Sequence, residues 1–364
     1  MPADVFFKLR TQLDQYSLGY PATESGVEIK ILEKLYTEEE AGMFLEISMF
    51  AEPAAVIAER CGRDPDTVAT LLETMAEKGL IFRLRRGDAP RYGAVPFVAG
   101  VMEFQLGRLD QELVDLVEQY HHEGFNKAIA EGANFLRVIP INRSVDARRR
   151  VATYEDAREI VKNRDYVAVA DCICRVMAGM RDEACDKPVH NCFVFGSHAE
   201  YYVERGIARQ VTTEEAVQIL DQAEEAGLVT QPTTTVNPAG MCNCCGDCCG
   251  VLRSLNETDK PAEMVLTNYF AEVDADLCTA CEICLDRCQM RAIAINDDDV
   301  AEVITDRCIG CGLCVTTCPG EAMRLVLKPE DQRFSVPKSV AETALKMAEQ
   351  RETTLEPLYM TQKS

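Results

Sequence analysis

Two stretches decide the reading of this chain: Cys278-Thr-Ala-Cys281-Glu-Ile-Cys284-Leu-Asp-Arg-Cys288 and Cys308-Ile-Gly-Cys311-Gly-Leu-Cys314-Val-Thr-Thr-Cys318, the second followed by Pro319. Both read C-x2-C-x2-C-x3-C, and the second repeats the first in register. Each iron of a cubane cluster takes one thiolate. A tight loop that supplies three cysteines, with a fourth from a helix start, is the donor set it needs. Zinc ribbons also use C-x2-C, but as separated pairs. Disulfides fit worse, because neighbours in so tight a run are poorly placed to pair. The pattern points to iron–sulfur chemistry.

The segment from Tyr269 to Leu327 resembles a bacterial two-cluster ferredoxin. The resemblance implies two [4Fe-4S] clusters and a crossed ligand set. Cys278, Cys281, Cys284 and Cys318 then hold one cluster, and Cys308, Cys311, Cys314 and Cys288 the other. One residue departs from the family: Gln289 stands where proline is usual. Proline shapes the turn and lacks an N–H donor, so the change alters the local turn but removes no ligand.

Nine further cysteines lie upstream: Cys172, Cys174, Cys185, Cys192, Cys242, Cys244, Cys245, Cys248 and Cys249. Cys242, Cys245 and Cys248 have the x2, x2 spacing of a cubane loop, and Gly246 and Gly250 let the backbone fold close around sulfide. A fourth ligand is available from Cys172, Cys174, Cys185 or Cys192. The supply suits one or two further iron–sulfur clusters. Alternatives are a single cluster beside a redox dithiol, a zinc site, or a non-cubane cluster. The last is of the kind built by CCG motifs in heterodisulfide-reductase-like proteins, which the chain resembles only in part because their long spacings are missing. Arg175 stabilises thiolate or cluster charge in one reading and forms an ordinary surface salt bridge in the other.

The chain has 364 residues, 18 of them cysteine, and a formal charge of −22. The length suits two or three domains. Cysteines at metal spacings fit a reducing compartment. No basic and apolar leader opens the sequence, and no apolar run reaches the roughly 18 residues of a membrane span. The expectation is a cytoplasmic protein without membrane insertion, in an anaerobe because exposed cubanes are oxygen-sensitive. Strong negative charge repels nucleic acid and steers toward basic faces of partner proteins, or simply aids solubility.

The expected fold is α+β. A winged-helix-like domain over 1–98 comes first, with Thr37 and Glu40 as a capping box, Asp64-Pro65 opening a helix that Gly79 ends, and a hairpin around Arg86-Gly87-Asp88. The layout resembles the MarR-like winged-helix module. Its presumed recognition helix, Asp66 to Lys78, carries Asp66, Glu73 and Glu77 against Lys78, which suits a protein partner better than DNA. Arg83, Arg85, Arg86 and Arg91 on the wing are the candidate docking residues, and Cys61 reads as a small buried hydrophobe. A helical connector follows over 99–165, with Met102, Leu106, Leu109, Leu113, Leu116, Val117 and Tyr120 at helical steps. A mixed α/β cysteine-rich domain covers 166–262, with strands near Tyr166–Ala170 and Phe193–Phe195 and a helix capped by Thr212. The ferredoxin-like domain covers 263–328. A C-terminal helix and tail take 329–364, with 353–364 frayed.

Taken together, the sequence predicts an electron-transfer protein that relays single electrons through several [4Fe-4S] clusters to or from a redox protein or larger enzyme complex. It reads as a subunit rather than a stand-alone enzyme. The rivals are a redox-sensing DNA-binding regulator and a reductase acting on a disulfide or small substrate at the middle cysteines. No catalytic acid–base constellation stands out.

Overall fold

A computed structural model of the chain describes residues 3–85, 87, 89–130, 136–141 and 155–357. Arg86, Asp88, the segment 142–154 and the tail from 358 lie outside these, as do parts of the expected hairpin, connector and C-terminal tail. Helices and sheets are mixed throughout, in two compact units. One comprises 1–133, 197–208 and 344–364; the other comprises 134–196 and 209–343.

The first unit opens with α1 (Asp4–Asp14), α2 (Val27–Leu35) and α3 (Glu38–Phe44). The capping box at α3 is formed: Thr37 accepts from the Glu40 N–H, and the Glu40 carboxylate accepts from the Thr37 N–H at 2.9 Å. Strand β1 (Glu52–Pro53), α4 (Ala54–Cys61), α5 (Pro65–Lys78), β2 (Phe82–Leu84) and β3 (Arg91–Gly93) follow. Asp64 caps α5 through the Thr67 N–H, and Gly79 ends it at φ +73°. The strands form an antiparallel sheet in the order β1-β3-β2. The pairing of β1 is not visible in sequence, because two residues carry no alternation to read. Cys61 is only half-buried, and its thiol donates to the Ala58 carbonyl.

The connector is broken where one helix was expected. Ala99 sits at φ 60°, a short 3-10 turn spans Glu103–Arg108, and α6 (Gln111–Tyr120) starts afresh with Asp110 accepting from the Leu113 N–H. A π turn, His121–Phe125, leads into α7 (Asn126–Ala130). Gly100 and Gly107 interrupt the stripe, and a capping aspartate restarts it. The helix Gly196–Glu204 contributes Tyr201, whose hydroxyl donates to the carbonyls of Ala76 and Ile81. Residues just past Arg351 are held rather than frayed: Thr353 donates to the Gln15 carbonyl, and Leu355 is buried.

The second unit holds α8 (Ala157–Lys162), β4 (Val167–Asp171), α9 (Ile173–Met180) and β5 (His190–Phe195). After α10 (Gly196–Glu204) come β6 (Ala208–Gln210), α11 (Thr213–Glu225), β7 (Val229–Pro232) and β8 (Gly240–Cys244). The sheet runs β6-β4-β5-β8-β7. Its apolar face, with Val167, Val169, Phe193, Phe195 and Met241, packs on Ile160 and Val161 of α8 and Ile219 and Leu220 of α11. Thr212 caps α11 through the Glu215 N–H. Then come α12 (Gly250–Asn256), α13 (Pro261–Met264), β9 (Tyr269–Val273), α14 (Ile283–Arg287), β10 (Ile293–Ile295), β11 (Ala301–Val303), α15 (Leu313–Thr316) and β12 (Met323–Leu327). Strands β9 and β12 pair antiparallel, as do β10 and β11.

Candidate iron–sulfur sites

The two C-x2-C-x2-C-x3-C copies fold as pseudo-symmetric loops. Positive φ recurs at matched positions: Ala280 and Gly310, Glu282 and Gly312, Arg291 and Glu321. Glycine adopts this conformation freely and other residues at a cost, so the first copy carries at Ala280 and Glu282 the strain that the second avoids. Gly310 is also forced by space, because a Cβ there would lie 2.2 Å from the Tyr269 carbonyl oxygen.

The loops gather sulfurs from both copies. Cys278, Cys281, Cys284 and Cys318 line one cavity, closed by Ile295, Ala301 and Met323. Cys308, Cys311, Cys314 and Cys288 form the second group, close enough that, after burial, neighbouring sulfurs raise the Cys288, Cys311 and Cys314 thiols. Backbone N–H groups donate to sulfur in matched pairs. Ala301 donates to Cys278 and Ala271 to Cys308, while Ala322 donates to Cys318 and Ala292 to Cys288, at 3.2–3.4 Å. Such bonds stabilise a thiolate. Burial pushes the Cys311 thiol up to about 12 and raises that of Cys314, so metal loading here displaces protons. Four sulfurs around a cavity, with donors aimed at them, are a donor set that fits a cubane.

A family described as a 4Fe-4S dicluster domain matches residues 271–325. The similarity is confined to this segment, which spans both cysteine repeats. No curated protein and no solved structure matches the chain. The matched segment holds eight of the 18 cysteines.

The other nine candidate cysteines are drawn together by the middle sheet. The pairing of Phe193 with Met241, carried one step on, sets Cys192 of β5 beside Cys242 of β8. Cys242 and Cys244 share a face of β8, while Cys172 precedes α9 and Cys249 precedes α12. Each thiol acts on the titration of the next in the order Cys192, Cys242, Cys244, Cys249, Cys174, Cys172. Neighbouring sulfurs and burial raise the Cys172, Cys242 and Cys244 thiols well above the ordinary value. The remaining three, Cys185, Cys245 and Cys248, form a separate group.

Between the groups lies Arg175, 2 % exposed. It is no surface salt bridge. Its guanidinium donates to Asn191 Oδ1 at 3.1 Å and the Asn243 carbonyl at 3.0 Å. Burial opposes its charge, but Cys172, Cys245 and Cys244 outweigh this and raise its pKa. Asn243 in turn donates to the Asn191 carbonyl and accepts from Thr230. Asn191, Asn243 and Thr230 escaped the sequence reading, because isolated polar residues in a strand carry no spacing signal.

Gln289 has a role of its own. Its Oε1 accepts from the Gly246 N–H at 2.7 Å, and its carbonyl accepts from Asn256 at 2.9 Å. The residue that stands where proline was expected thus ties the first cysteine repeat to the loop between Cys245 and Cys248. Arg287 adds bonds to the Glu224 and Glu225 carbonyls at the end of α11.

Two of the four candidate docking arginines, Arg83 and Arg85, are engaged by carboxylates of the chain itself. Arg83 is 6 % exposed and pairs with Glu73 and Glu204, so it is unavailable to a partner. Arg85 engages the same two carboxylates from a more exposed position. Tyr92 adds a hydroxyl to Glu73 at 2.7 Å.

Proposed function

We propose that the chain is an iron–sulfur electron-transfer protein that relays single electrons between a redox partner or enzyme complex and its own series of centres. The carrying observation is the cavity that takes three cysteines from one copy and Cys318 from the other. In this reading Cys278, Cys281, Cys284 and Cys318 hold one [4Fe-4S] cluster, and Cys308, Cys311, Cys314 and Cys288 hold the second. Such clusters, when bound, exchange one electron at a time.

The protein's part is ligation and tuning. The N–H donors of Ala271, Ala292, Ala301 and Ala322 favour the more negative state by neutralising charge on sulfur. Cys172, Cys174, Cys192, Cys242, Cys244 and Cys249 supply more than enough thiolates for a further cluster. Gln289, next to Cys288, bridges to Gly246, which gives a short bonded route from the second ligand group toward the middle cysteines.

The front of the chain is read as a winged helix that docks a protein. Helices followed by the sheet β1-β3-β2 support the layout. The acidic face of α5 and the internal pairing of Arg83 weigh against phosphate contact. Among the described residues no helix is long and apolar enough to cross a membrane.

The test is iron, sulfide and EPR analysis of the full chain purified without oxygen. About 12 irons with matching sulfide are expected, at four per cubane. Fewer than about eight irons, or no reducible signal, would remove the relay reading.

A further inference from the structure

Cys185, Cys245 and Cys248 place their sulfurs within 4.8 Å of one another, and Cys185 and Cys245 stand 3.7 Å apart. No three of the eight dicluster cysteines come that close. Sulfur spacing differs between one ion and a cube. Thiolates on one tetrahedral ion, with metal–sulfur bonds of about 2.3 Å, lie about 3.8 Å from each other. Thiolates on a cubane each hold a different iron and stand farther apart, at about 6 Å. The triangle therefore matches one ion, not a cube.

Charge and surroundings agree. Cys245 and Cys248 are buried against Ala178, Ala223 and Leu228, with half-buried Cys185 at the margin. Arg175 lies near this group as well, close enough for Cys245 to favour its charge, and its Nε has no hydrogen-bond partner. Its oxygen partners, an amide and a backbone carbonyl, are neutral. A buried cation needs an anion. Three thiols offer none, whereas three thiolates on a divalent ion carry one net negative charge; Cys172 and Cys244, outside the triangle, also favour the charge of Arg175. Lys187, paired with Asp247 at 2.8 Å, also lies near Cys185 and Cys245.

We propose that Cys185, Cys245 and Cys248 bind a single divalent ion, zinc by the softness of three thiolates, as a site separate from the iron–sulfur clusters. Three protein ligands leave the fourth position for water or a small exogenous thiol, reached past Cys185. The site stands independently of the relay reading, which is judged by iron and sulfide alone.

The experiment measures zinc, iron and sulfide per chain in the anaerobically purified protein and its Cys185→Ser variant. Wild type is expected to retain about one zinc after dialysis, and the variant to lose it with iron and sulfide unchanged. Zinc-edge X-ray absorption of the wild type, which needs no variant to fold, should show a sulfur-dominated shell at about 2.3 Å. Absence of stoichiometric zinc overturns the proposal. So does a nitrogen- and oxygen-only shell, or a variant that loses about four irons together with sulfide.

Discussion

Gln289 accepts a hydrogen bond from the Gly246 N–H at 2.7 Å, joining the first dicluster copy to the loop between Cys245 and Cys248. A Cβ at Gly246 would meet the Gln289 carbonyl oxygen at 2.7 Å, so the two backbones also need the glycine to approach. Proline at 289 keeps the turn but cannot reach Gly246 with a side-chain acceptor. Gln289→Pro should leave the dicluster EPR signals in place and destabilise the middle loop by about 1–2 kcal/mol, the cost of an unsatisfied, partly buried N–H. Faster hydrogen exchange confined to 244–250 would report it. Unchanged exchange there would show that the bond contributes nothing.

The crossed sulfur groups give a spectroscopic prediction. Cys288→Ser should alter the signal of the cluster assigned to Cys308, Cys311 and Cys314. Cys318→Ser should alter the one assigned to Cys278, Cys281 and Cys284. EPR of the two reduced variants separates the cases. If each substitution perturbs the cluster of its own copy, the assignment is wrong.

The matched positive-φ positions predict opposite responses. Gly310→Ala adds left-handed strain to a 2.2 Å clash with the Tyr269 carbonyl and should cost at least about 2 kcal/mol, with loss of iron from the second group. Ala280→Gly relieves strain at the equivalent position, where φ is 51°, and should be neutral or stabilising by up to about 1 kcal/mol. Iron retention during anaerobic urea titration compares the two.

Glu40 ties α3 to α5. It is 3 % exposed, with Lys78 Nζ at 2.6 Å. Burial opposes its charge, but Lys78 and the Thr37 N–H hold the carboxyl below its ordinary 4.5. The folded-state value is therefore depressed. Its contribution is complete above the unfolded value and fades as pH falls through the folded one. Opening of α3 and α5, followed by hydrogen exchange, should become easier below about pH 4.5. Lys78→Met should cost about 2 kcal/mol, because the lysine end is partly solvated, and should flatten that acid dependence. An unaltered acid profile in the variant would contradict the linkage.

Local signals in the sequence determined much of this protein. The capping residues Thr37, Asp64 and Thr212 act on N–H groups three residues away, so their helices start where the sequence says. The two repeated cysteine runs mark the dicluster segment because a tight loop needs its donors at fixed short spacing. Tertiary structure decided the rest. The connector pattern looked continuous until Ala99 and Asp110 broke it. Arg83 looked free on a wing until Glu73 and Glu204 enclosed it. The nine middle cysteines look interchangeable along the chain. Only the fold, which sets β5 against β8, separates a group of six cysteines from a triangle of three. Spacing in sequence fixes what lies within one loop, whereas contacts between residues some sixty positions apart, such as Cys185 and Cys245, are set by strand register and helix packing.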